Sequence, residues 1–471
     1  MLRKTKIICT LGPASWDRET VKRLLEAGMD AARINFSHGD RDSHLKIYQT
    51  LRESAESLGR HLPIIGDLQG PRIRVGEIPG KGLQLEKGSR VVLSSRNEPA
   101  AGGRIGTTYP SLAGDLKPGV AVLLNDGLLR LTVEKIESGD VHCRVEVGGL
   151  LTSHKGMNLP EVKVSVPALT GKDLEDLNFL LEQDFDYVAL SFVQRSSDVL
   201  QAKEIIARAG SQMQVIAKIE KPSALDELEG ILDESDGVIV ARGDLGVELG
   251  VERVPAAQKK ILRAAGKKSV LSITATQLLE SMLVNPVPTR AEASDVANSV
   301  FDGSDALLFT GETAAGKYPV ETVRTADRIV REAEGSMEAW GDRVMLRHQA
   351  AQNIPEAVCH AAADAARDLG AAAIVTGTQS GRTALLLSKF RPPMPVVGIS
   401  DNVQAVRRMS LYSGVYPVQL PRMEVLEESV EHAAAHLRES GTCKAGDSVV
   451  MTFGAPLSGR GSTNTLRLVK I

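Results

Sequence analysis

A chain of 471 residues has room for about three domains at roughly 150 residues each. Its 56 Lys and Arg against 59 Asp and Glu give a net charge of -3, which argues against a general nucleic-acid coat, and 3% aromatics argue against a surface built on base stacking. Cys9, Cys143, Cys359 and Cys443 form no CxxC pair, so thiols kept reduced in a cytoplasm are expected rather than a zinc site or a secreted disulfide framework, and neither a signal-peptide core nor a membrane-length apolar run is found.

The pattern of short β-branched runs alternating with helical periodicity starts at once. Thr5–Leu11 reads as a strand, with Asp17 capping the helix that follows; Asp30–Phe36 is a second strand, His44–Leu58 a helix, and Leu62–Leu68 a third strand. From Pro71 to Ser165 no long helix is expected. Asn125-Asp126-Gly127 between Ala121–Leu124 and Leu128–Val133 is a hairpin signal, because Asn, Asp and Gly tolerate positive φ. This stretch reads as a small β domain inserted in a larger one.

The βα rhythm resumes at Thr170. Strands are expected at Tyr187–Phe192, Gln214–Ile219, Gly237–Ala241, Val270–Ala275 and Ala306–Phe309, and helices at Ser197–Ala209, Ser223–Leu232, Pro255–Ala265, Thr289–Phe301 and Val320–Glu334. Outside the insertion that makes eight parallel strands, the closing number of a TIM (β/α)8 barrel. An open doubly wound sheet is the alternative, but Leu11-Gly12-Pro13 is not its Gly-rich dinucleotide turn. Gly335 to Gln352 reads as a polar linker. Beyond it a further α/β unit is expected, with helix Glu356–Leu369, strands Ala373–Val375, Pro395–Ile399, Val415–Leu420, Ser448–Phe453 and Thr465–Val469, and a helix near Val425–Leu437. The domains are thus read as 1–70 and 166–337 for the barrel, 71–165 for the insertion, and 338–471 for the last unit.

In a TIM barrel the chemistry sits at the carboxyl ends of the strands. Those ends bring Arg33 to His38, Asp67 to Arg74, Lys218 to Glu220, Arg242 to Gly246, Thr276 and Thr310 to one mouth. Lys218 and Glu220, two apart on a strand, share a face. Asp244 supplies a second carboxylate, and such a pair with open positions suits Mg²⁺. Arg33, Arg74 and Lys218 add cations, so a multiply anionic substrate such as a phosphorylated acid is expected, and the Gly243-Asp244 turn offers backbone N–H groups to an anion. Each feature alone has a plainer reading: an ion pair, a turn, a cap, and for His38 a loop hydrogen bond.

These same segments resemble the pyruvate kinase family along essentially the whole chain. The likeness is carried by Thr5-Lys6-Ile7 through Ser15, Arg33-Ile34-Asn35-Phe36-Ser37-His38-Gly39, Asp67 to Arg74, Ala217-Lys218-Ile219-Glu220, Val240 to Glu248, Thr274 to Gln277 with Pro288 to Glu292, and Gly311-Glu312-Thr313-Ala314. The resemblance implies a TIM barrel with an inserted small β-barrel lid, a C-terminal α/β regulatory domain and a cytoplasmic homotetramer. It implies the final step of glycolysis, phosphoryl transfer from phosphoenolpyruvate to ADP giving pyruvate and ATP. Glu220 and Asp244 then hold Mg²⁺, Lys218 faces the phosphoryl group in flight, Arg33 grips it in the ground state, and Gly243, Asp244 and Thr276 bind the substrate carboxylate. Thr276, Thr310 and a water relay are candidates for protonating the enolate. Asn35, Phe36, Ser37, His38, Arg74 and Lys155 line the nucleotide edge between barrel and lid.

Two further sites follow from the resemblance. Thr378, Ser380, Gly381, Arg382 and Thr383 match a loop that binds phosphorylated effectors, but Gln379 stands where Lys is frequent and the Gly459–Gly461 loop is no clear second clamp, so a sugar monophosphate or AMP competes with fructose bisphosphate as the effector. Asn35, Ser37 and Asp67 match a potassium site, yet Arg72 stands at an acidic position of potassium-requiring members and Leu68 at a hydroxyl one. Independence of potassium is therefore expected, the plainer reading of Arg72 being a pair with a lid carboxylate. Two rivals are a different barrel enzyme forming a Mg²⁺-bound enolate and a phosphometabolite sensor without turnover.

Overall fold

In this computed structural model residues 2–160, 162, 164–340, 351–421, 426–455 and 463–471 are described. Eight parallel strands, Lys6–Thr10, Ala31–Asn35, Ile64–Asp67, Tyr187–Leu190, Gln214–Ile219, Gly237–Ala241, Leu271–Ala275 and Ala306–Phe309, close into a barrel in chain order. The strands are buried on both faces, and period two sorts their residues. Ile7, Cys9, Ala32, Ile34, Val215, Ala217 and Ile219 face the surrounding helices, while Ile8, Ala31, Ile65, Tyr187, Ile216, Ile239 and Ile273 belong to the core inside the barrel. Continuing the inward sequence toward the carboxyl ends gives Thr10, Arg33, Asp67, Ser191, Lys218 and Glu220: apolar layers below, charged residues at the mouth.

Local signals explain the helix starts. Asp17, Asp40, Thr170 and Thr289 each accept a hydrogen bond from a backbone N–H in the first turn, the last three within capping boxes. The expected helix Ser223–Leu232 is two, Pro222–Asp226 and Leu228–Glu234. A helix the sequence reading missed, Arg242–Leu249, follows the sixth strand directly where a turn was expected. Helix Pro319–Trp340 runs six residues beyond the expected end, so 335–340 are helical and not linker; 341–350 lie outside the described residues.

Between the third and fourth barrel strands the chain forms a six-stranded mixed sheet and a two-stranded sheet around a core of its own, with Val91, Leu93, Ile105, Val122, Leu131 and Val145 inside. Its expected hairpin is present: Ala121–Leu124 pairs with Leu129–Glu137, and Asn125, Asp126 and Gly127 have φ of 51°, 56° and 85°. The chain leaves the barrel through Gly70, whose φ of 68° and close approach to Ser191 leave no room for a Cβ.

The C-terminal unit is a five-stranded sheet, with Ser448–Phe453 and Thr465–Lys470 antiparallel at one side and the other pairs parallel. It packs beneath the barrel. The core inside the barrel runs on without a break into Cys359, Ala384, Leu385, Met409 and Tyr412. Val425 and the Gly459–Gly461 loop lie outside the described residues.

Candidate active site

At the mouth the carboxylate of Asp67, 1% exposed, is the hub. It accepts from Arg33 Nε at 2.7 Å and from Lys218 Nζ at 3.2 Å. Burial alone would raise its pKa, but the two cations hold it below the usual carboxylate range. Arg33 also donates to Thr10 Oγ1 at 3.0 Å, so both guanidinium contacts come from inward positions of adjacent strands.

Lys218 Nζ stands 3.0 Å from Glu220 Oε1 and donates to Ser191 Oγ at 2.7 Å. Burial opposes its charge, but Asp67 and Glu220 outweigh burial and raise its pKa, so it stays an ammonium. Burial pushes the Glu220 carboxyl up to about 7 against the attraction of Lys218, and the charge of Asp244 adds to the rise. Its Oε2 accepts from the N–H of Phe192, which sits at φ 57° at the end of the fourth strand. A carboxyl raised chiefly by burial, with a second carboxylate near it, marks a place that an added cation would stabilise. Among the described residues no group of three or more His, Cys, Asp or Glu could cage a metal. A two-carboxylate set fits Mg²⁺, which keeps waters and takes substrate oxygens.

Thr276 has φ 71°, a strained conformation for a β-branched residue. Arg242 holds it there, donating to the carbonyls of Ala275 at 3.2 Å and Thr276 at 2.6 Å while paired with Asp295 at 2.7 Å. Thr276 Oγ1 in turn accepts from the N–H of Gly243 at 2.8 Å. Gly243 and Thr276 thus meet, and the Gly243 N–H is spent on Thr276, because the chain turns into a helix at Arg242 and brings that amide against the seventh strand. Asp244, in the first turn of the helix, lies 3.7 Å from Arg72 Nη2. Arg72 therefore reaches across to the barrel, and among the described residues no lid carboxylate pairs with it.

The nucleotide edge is less uniform. Asn35 Oδ1 accepts from the N–H of Ser37 at 3.2 Å, and His38 is exposed, its carbonyl bonded by His44 Nε2. The ring of Phe36 is 1% exposed and packs against His44, Phe179 and Phe185, so expecting its side chain on a nucleotide is corrected: it faces the core, and only its main chain borders the mouth. Arg74 donates to the His154 carbonyl at 2.9 Å, and burial with the nearby charge of Arg72 lowers its pKa. Lys155 is half-buried on the returning crossing, beside Arg74. In the C-terminal unit Gly381 adopts φ 85° ahead of helix Arg382–Lys389, its N–H bonded to Thr378 Oγ1 and the Arg382 N–H to Ser380 Oγ; Arg382 Nη1 donates to the Ser269 carbonyl of the barrel, and Thr383 pairs with Thr463.

Sequence reasoning missed Ser191 and Arg242. Ser191 ends the fourth strand, and reading that strand end beside the other six would have found it; Arg242 was visible but unassigned, since nothing local shows that it clamps the next strand.

A closed (β/α)8 barrel whose mouth sets cations around paired carboxylates defines a barrel enzyme for multiply anionic substrates. Residues 2–323 match the family model for the pyruvate kinase barrel domain, and 356–469 that for the pyruvate kinase alpha/beta domain. The chain is 41% identical to a pyruvate kinase of Geobacillus stearothermophilus over 99% of this chain and 80% of the relative, and 38% identical to one of Clostridium acetobutylicum over 99% of both. A solved pyruvate kinase from Cryptosporidium parvum superposes with a TM-score of 0.93 at 34% identity, covering 99% of this chain and 96% of that one. The chain belongs to the pyruvate kinase family, and with it to the phosphotransferases.

Proposed function

We propose that this chain transfers the phosphoryl group of phosphoenolpyruvate to ADP, giving pyruvate and ATP. The observation that carries this reading is the buried cluster in which Arg33 and Lys218 flank Asp67 while Glu220 and Asp244 form an open carboxylate pair beside Thr276. The difficulty of the reaction is electrostatic, since an anionic phosphoryl passes between anionic partners, so positioning and charge neutralisation are what the protein must supply. Lys218, kept charged by its neighbours, faces the phosphoryl in transit. Arg33, fixed by Asp67 and Thr10, holds it beforehand. The Asp244 N–H at the helix start and the Thr276 hydroxyl hold the substrate carboxylate. Thr276 and Thr310, at the seventh- and eighth-strand ends, would protonate the enolate through a water relay.

Mg²⁺ bound by Glu220 and Asp244 would neutralise charge on the substrate's oxygens. ADP lies between barrel and lid, along Asn35, Ser37, His38, Arg74 and Lys155 and the main chain at Phe36. The domain division 1–70 with 166–337, 71–165 and 338–471 belongs to this reading. So does a cytoplasmic homotetramer, for which the family likeness is the support and light scattering the check. The loop Thr378–Thr383 takes a phosphorylated effector: Ser380→Ala with Arg382→Ala should abolish activation across a panel of sugar phosphates and AMP while basal turnover persists. Arg72, with its fixed charge beside Asp244, replaces the monovalent cation, and Asn35, Ser37 and Asp67 then act without potassium.

The test is a lactate-dehydrogenase-coupled assay with phosphoenolpyruvate, ADP and Mg²⁺. Turnover supports the proposal. Binding of phosphoenolpyruvate without turnover would make the protein a sensor, and pyruvate formation without ADP would make it a different barrel enzyme.

A further inference from the structure

Helix Arg242–Leu249 presents Asp244 and Glu248 four residues apart, hence on one face. Both crossings between barrel and inserted unit meet that face. On the outgoing crossing Arg72 stands 3.7 Å from Asp244, a loose and half-exposed contact. On the returning crossing Asn158 Nδ2 donates to Glu248 Oε1 at 2.9 Å. Glu248 has a side chain 1% exposed, stands 3.5 Å from the buried Lys221 ammonium, and keeps Oε2 without a protein partner among the described residues. Arg72, Asn158, Lys221 and Glu248 together line a cavity of about 20 Å³ at this corner, room for one water. The two crossings are tied to each other by Val75 N–H to the Lys155 carbonyl and Met157 N–H to the Ile73 carbonyl, both at 2.9 Å, so they move as one ribbon.

A buried carboxylate is costly unless paired and hydrogen-bonded. Here Lys221 stands opposite Glu248, and the hydrogen bond that Glu248 Oε1 accepts comes from the ribbon. We propose that Glu248 is a positioning residue: through Asn158 it pins the returning crossing to the helix that carries Gly243 and Asp244, and this clasp is the pivot about which the lid sits over the mouth. The inference rests on reading the inserted unit as a lid. The Arg72–Asp244 contact is the part that yields as the lid moves, and the Asn158–Glu248 bond is the part that stays.

Spin labels on Lys87→Cys in the lid and Arg263→Cys in a barrel helix, both exposed, report the lid-to-barrel distance by pulsed electron resonance in the full chain without added ligand or metal. Asn158→Ala leaves the Lys221–Glu248 pair in place, so the fold is kept. It should at least double the width of the distance distribution and raise KM for ADP about tenfold, the effect of losing one hydrogen bond to a charged group, with KM for phosphoenolpyruvate moving far less. Lys221→Met with Glu248→Gln removes both charges together but leaves Asn158 an oxygen to bond, and should keep the original width. An unchanged width in Asn158→Ala overturns the clasp, as does equal broadening in the double variant. Turnover of the unsubstituted labelled protein in the coupled assay reports separately on the proposed reaction.

Discussion

The two ends of the barrel are joined to their neighbouring units by different chemistry. At the amino end the interior core continues into the C-terminal unit, and buried Asp305 accepts from Lys389, from Arg391 at 2.8 Å and from the Ser272 amide at 2.7 Å. Lys6 reaches across to the Val415 carbonyl, and Tyr187 to the Arg408 carbonyl. At the carboxyl end two strands of chain and a few polar contacts hold an insertion with a separate core. An apolar seam with buried ion pairs resists relative motion, whereas a polar hinge permits it. The same barrel is thereby fixed at one end and adjustable at the end where its charged residues gather.

The largest effect is expected at the fixed end. Asp305→Ala leaves Lys389 buried beside Arg391 with no carboxylate, and should cost about 3–5 kcal/mol in a urea titration. A loss below about 1 kcal/mol would show that the seam does not depend on this pair.

At the adjustable end Lys218→Met should leave folding intact and lower kcat by about 10²–10³, or roughly 3–4 kcal/mol, with KM for phosphoenolpyruvate little changed. A drop below tenfold in the coupled assay would remove Lys218 from the transition state. Glu220→Ala and Asp244→Ala should each raise the Mg²⁺ concentration needed for half-maximal rate, and unchanged titrations in both would discard the metal assignment.

A smaller effect separates the ends by pH. Burial lowers the Lys6 ammonium from 10.5 to about 8 in the folded chain. Between those values the unfolded chain binds the extra proton, so stability gains as pH rises from about 8 to about 10.5, and below pH 8 the folded state bears the full penalty of a buried charge. Lys6→Met removes that dependence. Wild type should be the less stable of the two below pH 8 and recover by no more than about 3 kcal/mol toward pH 10.5. A wild-type minus variant difference that is flat with pH would contradict it.

The smallest concerns potassium. Turnover in sodium- and potassium-free buffer should lie within about twofold of that in potassium, and Arg72→Glu should introduce potassium activation, incomplete because Leu68 and Val75 stay apolar. Strong stimulation of the wild type over a tetramethylammonium control would make Asn35, Ser37 and Asp67 a working cation site.

Most of the barrel was legible because strand alternation and caps are local signals. The layered mouth was legible too, since inward positions of successive strands can be counted from the sequence. What escaped depends on how strands sit beside one another. That Arg242 clamps the strained Thr276, that Gly243 gives its amide to Thr276, and that Phe36 turns inward to Phe179 and Phe185 are facts of packing between distant segments. Helix Arg242–Leu249 escaped because Gly243 and Gly246 lower helix propensity, and what holds it is tertiary: the burial of Leu245 and the contacts Glu248 makes with Lys221 and Asn158.

Amide hydrogen exchange on the wild-type chain, with and without phosphoenolpyruvate, ADP and Mg²⁺, tests the contrast between the two ends most directly. The crossings Arg72–Gly76 and Lys155–Asn158 should be less protected than the amino-end junction in the chain alone and gain protection with the ligands. The amides around Asp305, Leu387 and Tyr412 should be protected in both states and change little. Equal protection at both junctions without ligand, or a ligand effect confined to the amino end, would contradict an adjustable mouth on a fixed base.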